Sequence, residues 1–267
     1  MTMLRIEKLT MGYPGKPDIL RDIDLELNRS DILALIGPNG SGKTTLMRGI
    51  TGLLPPRSGR VSFDDRDLFS MPIRERASLI SVVPQMATLP PGYTVFESVS
   101  HGRTPYLNWY GKLSEKDREA IESALRLTGL EALADKEVAA ISGGEQQRVI
   151  LARALAQDAP VMILDEPTNC LDLRYQIELL ELVRQVSRQK GLCCLLIIHD
   201  LNLAARFADR IAILDKGSIA ACGTPEAVLR PELLTEVYKT PVKVLKTDSD
   251  GIIILPGERP DKTNTAA

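Results

Sequence analysis

Residues 31–52, DILALIGPNGSGKTTLMRGITG, decide the fold of this 267-residue chain. The apolar run Ile32–Ile36 predicts a short buried strand, and a helix is predicted from about Lys43 to Ile50. Between them, residues 37–44 match the pattern G-x-x-x-x-G-K-[ST] at every position. Glycines let such a loop curl its backbone N–H groups toward phosphate oxygens, and the following helix presents its positive end to them. The stretch therefore predicts a nucleotide phosphate site.

Two side chains of this loop are expected to carry chemistry. Lys43 is expected to reach the β- and γ-phosphates, and the Thr44 hydroxyl is expected to ligate Mg²⁺. The predicted nucleotide-binding residues of the loop are Gly37, Pro38, Asn39, Gly40, Ser41, Gly42, Lys43, Thr44 and Thr45. Because kinases, GTPases and motor proteins all use such a loop, the loop alone predicts the ligand and leaves the class of protein open.

The composition limits that class. At 267 residues the chain is near the size at which one hydrophobic core stops growing, so one domain with two lobes is expected. Its 33 basic and 35 acidic residues give a formal charge of −2, which offers no electrostatic footprint for nucleic acid. The longest apolar run, Leu192–Ile198, is far short of a membrane span, and the N-terminal MTMLRIEKLT has no signal-peptide core. Four cysteines lack metal-ligand or disulfide spacing, which predicts a soluble protein of a reducing compartment: Cys170, Cys193, Cys194 and Cys222.

The hydrophobic pattern divides the rest of the chain into three parts. Antiparallel strands with one solvent-facing side are predicted near the N-terminus, at Leu4–Leu9 and Ile23–Leu27. Helical periodicity replaces β-branched runs from residue 86 to residue 158, which predicts an inserted helical lobe. Beyond it, apolar strands alternate with amphipathic helices, as is typical of a parallel sheet with helices on both faces. The predicted strands are 80–83, 161–164, 193–198 and 211–214, and the predicted helices are 72–79, 94–102, 114–128, 143–157, 172–190 and 201–208.

Together these parts predict an α/β fold. The predicted fold is that of a P-loop NTPase, with a mixed sheet core, an N-terminal antiparallel β subdomain and an inserted helical subdomain. The predicted domain spans residues 1–256, with a nucleotide-binding core at 1–85 and 159–240, a helical subdomain at 86–158 and a C-terminal extension at 241–256. Residues 257–267 are predicted to be a disordered tail.

Two carboxylates end the predicted strand Val161–Leu164. Phosphoryl-transfer sites use one carboxylate to help hold Mg²⁺, and Asp165 is placed for that role. Glu166, one residue further on, is expected to face the γ-phosphate and to orient or deprotonate the attacking water. Acidic residues at a strand end are common, so this interpretation depends on the phosphate loop upstream.

A second segment, SGGEQQR at residues 142–148, has the chemistry of an anion site. A serine followed by two glycines opens a helix of good helix formers, so its backbone N–H groups point outward at the start. The alternative is a plain N-cap with glycine in the first turn. One nucleotide does not need two such sites from the same chain, and this raises the question of what the second site binds.

At this point the chain resembles the ATP-binding cassette family, over roughly residues 3–240. SGGEQQR resembles the family's signature motif, with Ile141 where leucine is usual and Glu145 where glutamine is usual. The resemblance implies that Tyr13 stacks on adenine, that Gln85 meets Mg²⁺ or the attacking water, and that His199 contacts the γ-phosphate. Residues 167–172, PTNCLD, resemble the loop that crosses the dimer interface. The signature residues expected to bind the ATP of a second copy are Ser142, Gly143, Gly144 and Glu145.

The resemblance also implies cofactors, roles and partners. The expected cofactors are ATP and Mg²⁺, the expected catalytic residues are Glu166, His199 and Gln85, and the expected metal ligands are Thr44, Gln85 and Asp165. Two copies are expected to form a head-to-tail homodimer that closes on ATP and opens after hydrolysis. Integral membrane permease subunits are the expected partners, with an extracytoplasmic substrate-binding protein acting indirectly. The protein is therefore expected to be peripheral, at the cytoplasmic face of the cell membrane.

Two stretches indicate the kind of transporter. MPIRERASLISVVPQ (71–85) and GRTPYLNWYG (102–111) resemble the ATPases of importers for iron–siderophore, haem and cobalamin chelates. The residues Tyr106, Leu107, Trp109 and Tyr110, here called the aromatic patch, are dense in aromatics for a chain that is only 4% aromatic. We expect them either to line a groove for a permease helix or to form the helical lobe's own core.

Three other functions are weighed against the importer. A chromosome-structure ATPase needs a long coiled coil between loop and signature, and residues 45–141 leave no room for one. A soluble cassette ATPase of iron–sulphur cluster assembly has similar length and the same site, and an exporter ATPase is the third alternative. The substrate itself is expected to be chosen by the permease and the binding protein.

Overall fold

The computed structural model describes residues 2–85, 89–169, 171–247 and 251–257. In chain order the strands are β1 Thr2–Met11, β2 Leu20–Asn28, β3 Ile32–Ile36, β4 Ser58–Phe63, β5 Arg66–Asp67, β6 Ile80–Val83, β7 Val161–Asp165, β8 Cys193–Ile197, β9 Arg210–Asp215, β10 Ser218–Gly223, β11 Val242–Thr247 and β12 Gly251–Pro256. The helices are α1 Lys43–Ile50, α2 Ile73–Leu79, α3 Val95–Ser100, α4 Glu115–Thr128, α5 Gly143–Ala156, α6 Leu173–Lys190, α7 Leu201–Phe207, α8 Pro225–Val228 and α9 Pro231–Tyr238.

The N-terminal strands form a four-stranded antiparallel sheet in the order β2-β1-β4-β5. In β2 the side chains alternate, with Leu25 and Leu27 buried and Asp24 and Glu26 exposed. This alternation confirms the prediction of a sheet with one solvent-facing side. The buried side faces a core that also includes Leu46 and Ile50 of α1, so this sheet supports the helix that follows the phosphate loop.

The central sheet has six strands in the order β10-β9-β3-β8-β7-β6. All neighbours are parallel except β10, which forms an antiparallel hairpin with β9. β3 and β8 are buried along their whole length, and Cys193 and Cys194 lie in β8 as predicted. Because β3, β6, β7 and β8 run in the same direction, the residues after each strand meet at one edge of the sheet.

The inserted lobe contains α3, α4 and α5. Ser114 and Ser142 cap α4 and α5, each within a complete capping box. The helix predicted over 94–102 ends at Ser100 and continues as a 3₁₀ turn, His101–Tyr106. Pro105 lies in this turn and has no N–H with which to continue an α-helix, and Gly102 packs closely on α5, where a Cβ would lie 2.1 Å from the Arg153 carbonyl oxygen.

Polar contacts fix both ends of this lobe. Arg103 is buried, donates to the Asp117 carboxylate at 2.8 Å and to the Ala156 carbonyl at 2.8 Å, and so joins α4 to the end of α5. Burial alone would raise the pKa of Asp117, but hydrogen bonds from Ser114 and Arg103 outweigh it and hold the pKa below its ordinary value. At the end of α5, the Gln157 amide donates to the carbonyl of Ile80 at 2.8 Å and also to that of Ala77.

The C-terminal strands β11 and β12 form a two-stranded hairpin that packs against α7. They make up most of the C-terminal extension predicted at 241–256. The predicted tail lies outside the described residues from residue 258 onward, as does Cys170 in the predicted interface loop. Within the described residues, no helix is both long and apolar enough to span a membrane.

Candidate nucleotide-binding and hydrolysis site

The phosphate loop has a backbone that only glycine permits at two points. Gly37 has φ +150° and Gly42 has φ +114°, and a Cβ would lie 2.1 Å from the Leu214 carbonyl oxygen at the first and 2.6 Å from Leu20 at the second. α1 begins directly after Gly42, and no side chain among the described residues caps it. The first backbone N–H groups of α1 are therefore left for a ligand.

Lys43 lies folded over the loop. Its ammonium group donates to the carbonyl oxygens of Gly37 at 2.8 Å and Pro38 at 3.2 Å, and the residue is buried. Burial lowers the pKa of Lys43, while the nearby carboxylates of Glu166 and Asp165 oppose that shift. The Lys43 ammonium group is therefore paired with two backbone carbonyl oxygens, and phosphate oxygens can replace them as its hydrogen-bond acceptors.

A cavity of about 260 Å³ opens in front of the loop. It brings most of the predicted phosphate-loop residues together with two of the predicted catalytic residues. Its lining consists of Ile19, Asn39, Gly40, Gly42, Lys43, Thr44, Thr45, Glu166 and His199. Pro38 and Ser41 line a second cavity of about 260 Å³ on another side of the loop, beside Tyr238.

Glu166 is the centre of the polar contacts in the site. Gln85 donates from its amide to Glu166 Oε2 at 2.6 Å, Asn169 donates from its amide to the same oxygen, and His199 Nε2 contacts Oε1. Glu166 has φ +49°, a conformation that is uncommon outside glycine and that concentrates at functional sites. Its N–H donates to Ile197 at 2.9 Å, so β8 holds this backbone in place. The carboxylate is thereby fixed at the cavity wall.

Asp165 ends β7 beside this carboxylate. Burial and the charge of Glu166 raise its pKa, against the opposing effects of Lys43 and His199. Asp165, the Thr44 hydroxyl and the Gln85 amide oxygen form an oxygen-donor set, which is the ligand chemistry that Mg²⁺ prefers. Among the described residues no group of three or more His, Cys, Asp or Glu could hold a metal ion.

The signature segment lies at the start of α5. Ser142 N–H donates to the Glu145 carboxylate at 2.8 Å, and Glu145 N–H donates to the Ser142 hydroxyl at 3.3 Å. The hydrogen bonds from Ser142 lower the pKa of Glu145. Ser142 and Gly143 are exposed, and none of Ser142, Gly143, Gly144 and Glu145 is among the described residues that line the 260 Å³ cavity in front of the loop. Gln147 donates to the Pro167 carbonyl at 3.1 Å, which joins this helix to the turn after Glu166.

Tyr13 lies at the rim of the site without lining the cavity. Its hydroxyl accepts a hydrogen bond from Arg48 at 2.7 Å, and the Arg48 guanidinium lies 5.8 Å from the ring centroid. The ring also packs against the core beneath the N-terminal sheet. Its contact with adenine stays a prediction.

Three residues of this region make contacts that the sequence patterns did not predict. Asn169 contacts Glu166 directly, and its position three residues after that carboxylate is the one available signal. Ile19 lines the cavity from the loop before β2. Tyr238 lies beside Gly37 although it is about 200 residues away in the chain, and burial raises the pKa of its phenol to about 12. Nothing in the sequence around Tyr238 indicates this contact.

The aromatic patch is exposed rather than internal. Trp109 is 97% exposed and Tyr110 is 83% exposed, while Tyr106 stacks under the Arg103 guanidinium at 3.9 Å. The alternative that the patch forms the core of the helical lobe is therefore wrong for Trp109 and Tyr110. The lobe's own core is built instead from aliphatic residues such as Ile121, Leu125 and Val149.

A phosphate loop after β3 that opens beside a fixed carboxylate at the end of β7, with only β8 between the two strands, is the arrangement of a P-loop ATPase. The family model described as "ABC transporter" matches residues 20–169, more than half of the chain. The chain belongs to the ABC transporter family, and it is an ATPase of that family.

Individual relatives match over nearly the whole chain. The achromobactin transport ATP-binding protein of Dickeya dadantii is 39% identical over 92% of this chain and 91% of its own length. The ferric enterobactin transport ATP-binding protein of Escherichia coli is 39% identical over 88% and 86%, and the hemin import ATP-binding protein of Rhodococcus jostii is 39% identical over 95% and 86%. A solved structure of a metal-chelate type ABC transporter in an inward-facing conformation aligns with TM-score 0.83 and 27% identity, over 97% of this chain and 99% of that chain.

Proposed function

We propose that this chain binds and hydrolyses ATP to power an importer of iron(III)–siderophore or a related metal chelate such as haem or cobalamin. The proposed substrate class is supported by the relatives, whose names specify achromobactin, ferric enterobactin and hemin transport. Their alignments cover at least 86% of each chain. Neither iron–sulphur cluster assembly nor export is favoured by these relatives.

The proposed hydrolysis uses the residues at the sheet edge to bind phosphate, to activate water and to hold Mg²⁺. Lys43 leaves the carbonyls of Gly37 and Pro38 to bind the β- and γ-phosphates, and Glu166 accepts a proton from the attacking water. Gln85 and His199 hold the Glu166 carboxylate toward the phosphate, since both already contact its oxygens. Thr44, Gln85 and Asp165 would hold Mg²⁺, which supplies neutralisation of the phosphate charge when bound.

The proposed assembly is a head-to-tail homodimer. The signature residues of one copy cap the ATP held by the phosphate loop of the other, so each site is completed in trans. The exposure of Ser142 and Gly143 and their separation from the cavity in front of their own phosphate loop support this arrangement. ATP supplies the anion shared by the two helix starts, and its hydrolysis removes the link that keeps the dimer closed.

The proposed permease contact is the aromatic patch. Arg74 of α2 donates to the carbonyls of Pro105, at 2.6 Å, and of Leu107, which holds the stretch before Trp109 against α2. Ile73 on the same helix is 77% exposed. Exposed aromatic and aliphatic residues on a rigid base suit the anchor of a protein interface. The subunit would then sit at the cytoplasmic face of the membrane, with the extracytoplasmic binding protein reached only through the permease.

A co-purification experiment tests this function. The full chain is expressed with its candidate permease, extracted in detergent and pulled down, and the complex is assayed for uptake of ferric siderophore, haem, cobalamin and molybdate. Trp109→Ala is expected to weaken permease association while ATP binding by the isolated chain is unchanged. Leu245→Ala, an exposed leucine on the C-terminal hairpin, is the matched control. If Trp109→Ala co-purifies with the permease as well as the wild type does, the aromatic patch is not the permease contact. If the complex takes up none of the chelates, the proposed substrate class is wrong.

A further inference from the structure

The C-terminal hairpin lies on two helices: β12 packs against α7, and β11 packs against α9, where Val242 N–H donates to the Thr235 hydroxyl at 3.2 Å. Among the described residues, β11 and β12 pair only with each other and not with either larger sheet. Val244, Ile252 and Ile254 turn toward the main core, and Ile254 is buried. Because an isolated two-stranded hairpin is marginal in water, its order comes from the surface on which it lies.

One side chain joins the hairpin to that surface at two points. The Asn202 amide donates to the Ile254 carbonyl at 3.2 Å, and Ile254 N–H donates to the Asn202 amide oxygen at 2.8 Å. Both backbone groups of Ile254 are satisfied in this way, so Asn202 takes the place of a neighbouring strand at the edge of β12. Asparagine offers a donor and an acceptor on one planar group, and this contact uses both.

The contact lies three residues from His199. Asp200 is the N-cap of α7, and its carboxylate accepts from the N–H groups of Asn202 at 2.8 Å and Leu203 at 3.0 Å. The first turn of α7 is therefore held by the cap on one side and by the hairpin on the other. On the strand side of the histidine, Ile198 N–H donates to the Leu35 carbonyl at 3.3 Å. His199 lies between these two attachments and contacts Glu166.

We propose that the C-terminal hairpin positions His199 against Glu166 through the two hydrogen bonds of Asn202, which makes Asn202 a positioning residue for ATP hydrolysis. This inference rests on the proposed roles of His199 and Glu166. The hairpin holds the start of α7, the start of α7 sets where the imidazole lies, and the imidazole helps fix the carboxylate. Residues beyond 240 then belong to the catalytic unit of the chain.

The two histidines of the chain allow a direct test. Ring signals of His199 and His101 are recorded by NMR at one fixed pH in the full-length protein, with His199→Ala assigning the signals. Asn202→Leu removes both hydrogen bonds at similar size, and Asn202→Asp keeps the acceptor but sets an oxygen against the Ile254 carbonyl. Leu255→Thr, on the outward side of the hairpin, is the control. His101, which packs edge-on against Tyr93, serves as internal reference.

The expected result is a shifted or broadened His199 signal in both Asn202 variants, with the His101 signal unchanged. The kcat for ATP hydrolysis should fall about three- to tenfold while KM for ATP stays within about twofold, because a mispositioned side chain slows chemistry more than binding. Leu255→Thr should match the wild type in signal and rate, and all variants should unfold at similar temperatures.

Three outcomes would overturn the inference. They are an unchanged His199 signal in both Asn202 variants, equal changes at His101, or a KM that rises as much as kcat falls. The role of His199 is tested separately by the rate of His199→Ala. If that variant hydrolyses ATP normally, the proposed role of His199 fails, whereas the NMR comparison still decides whether the hairpin positions the ring.

Discussion

Two helices in this molecule begin beside glycines, and they begin in opposite ways. α1 starts after Gly42, whose left-handed backbone supplies no cap, and its first residues Lys43, Thr44 and Thr45 line the cavity in front of the loop. α5 starts after Ser142 in an extended conformation, and the capping box pairs the N–H groups of Ser142 and Glu145 with each other's side chains. The phosphate loop therefore takes its anion from outside, whereas the signature helix carries a carboxylate of its own.

In the proposed ATPase cycle, α1 and α5 act in different steps: α1 binds nucleotide, and α5 takes part in dimer closure. A single chain has what it needs to bind nucleotide at α1, since the cradle, the lysine and the carboxylates all belong to it. The start of α5 is capped within the chain, and in the proposed homodimer it contributes only when a second copy approaches. Damage to α1 should therefore abolish nucleotide binding by one chain, and damage to α5 should spare it.

The largest expected effect is that of Lys43→Ala. The variant should lose ATP binding, with Kd raised at least about 100-fold, because two or more charge-assisted hydrogen bonds to phosphate disappear. Isothermal titration calorimetry of the isolated chain measures this. Lys116→Ala, on the exposed side of α4, is the control and should bind normally. Tight and productive ATP binding by Lys43→Ala would contradict the cradle at α1.

Glu166→Gln separates binding from hydrolysis at the site between the two helices. Loss of a general base lowers the rate by about 10²- to 10⁴-fold, and glutamine keeps the shape of the side chain. ATP binding should persist, and a closed dimer should accumulate in size-exclusion chromatography with ATP. Glu181→Gln on α6 is exposed and should hydrolyse at the wild-type rate. Near-normal hydrolysis by Glu166→Gln would reject Glu166 as the base.

Ser142→Ala tests the α5 side of the comparison. Loss of an N-cap costs about 1 kcal/mol, so the variant should be slightly less stable and still bind ATP. Its ATP-dependent dimer should weaken about tenfold, measured by analytical ultracentrifugation in the Glu166→Gln background. Ser114→Ala removes the matching cap of α4 and should lose similar stability without affecting the dimer. Equal weakening by both variants would mean that the signature has no special part in the dimer.

The smallest expected effect is a pH dependence at Glu145. Its pKa is lowered in the folded state, so its contribution to stability is present above the ordinary value of 4.5 and is lost as the pH falls through the folded pKa. The unfolding midpoint of the wild type should fall more steeply with acid than that of Glu145→Gln. The first turn of α1 holds no acidic residue and should add nothing to this slope. Parallel curves for the two proteins would contradict the role of the carboxylate.

The parts that were predictable from the sequence are those that short-range rules determine. The phosphate loop follows from its glycine spacing, and the meeting of Gln85, Glu166 and His199 follows from the direction of parallel strands. The capping boxes follow from a serine and an acid three residues apart.

The remaining features depend on packing between distant segments. The Asn202–Ile254 contact joins residues 52 apart, and Tyr238 reaches Gly37 across most of the chain. The sequence also could not predict whether Trp109 is exposed, because a high density of aromatic residues is found both in internal clusters and at surface contacts. Gly102 packs closely on α5 just after α3 ends, and the local sequence contains no sign of that approach.

The attachment of Gln157 has a mechanical consequence. α5 is 14 residues long, so its two ends lie about 21 Å apart. The start carries the signature, and the end is fastened by Gln157 to Ile80 and by Arg103 to the stretch that leads to the aromatic patch. A helix is stiff along its axis, so a tilt of about 10° about one end moves the other end by about 4 Å. In the proposed assembly, α5 would therefore transmit motion between the dimer face and the permease face.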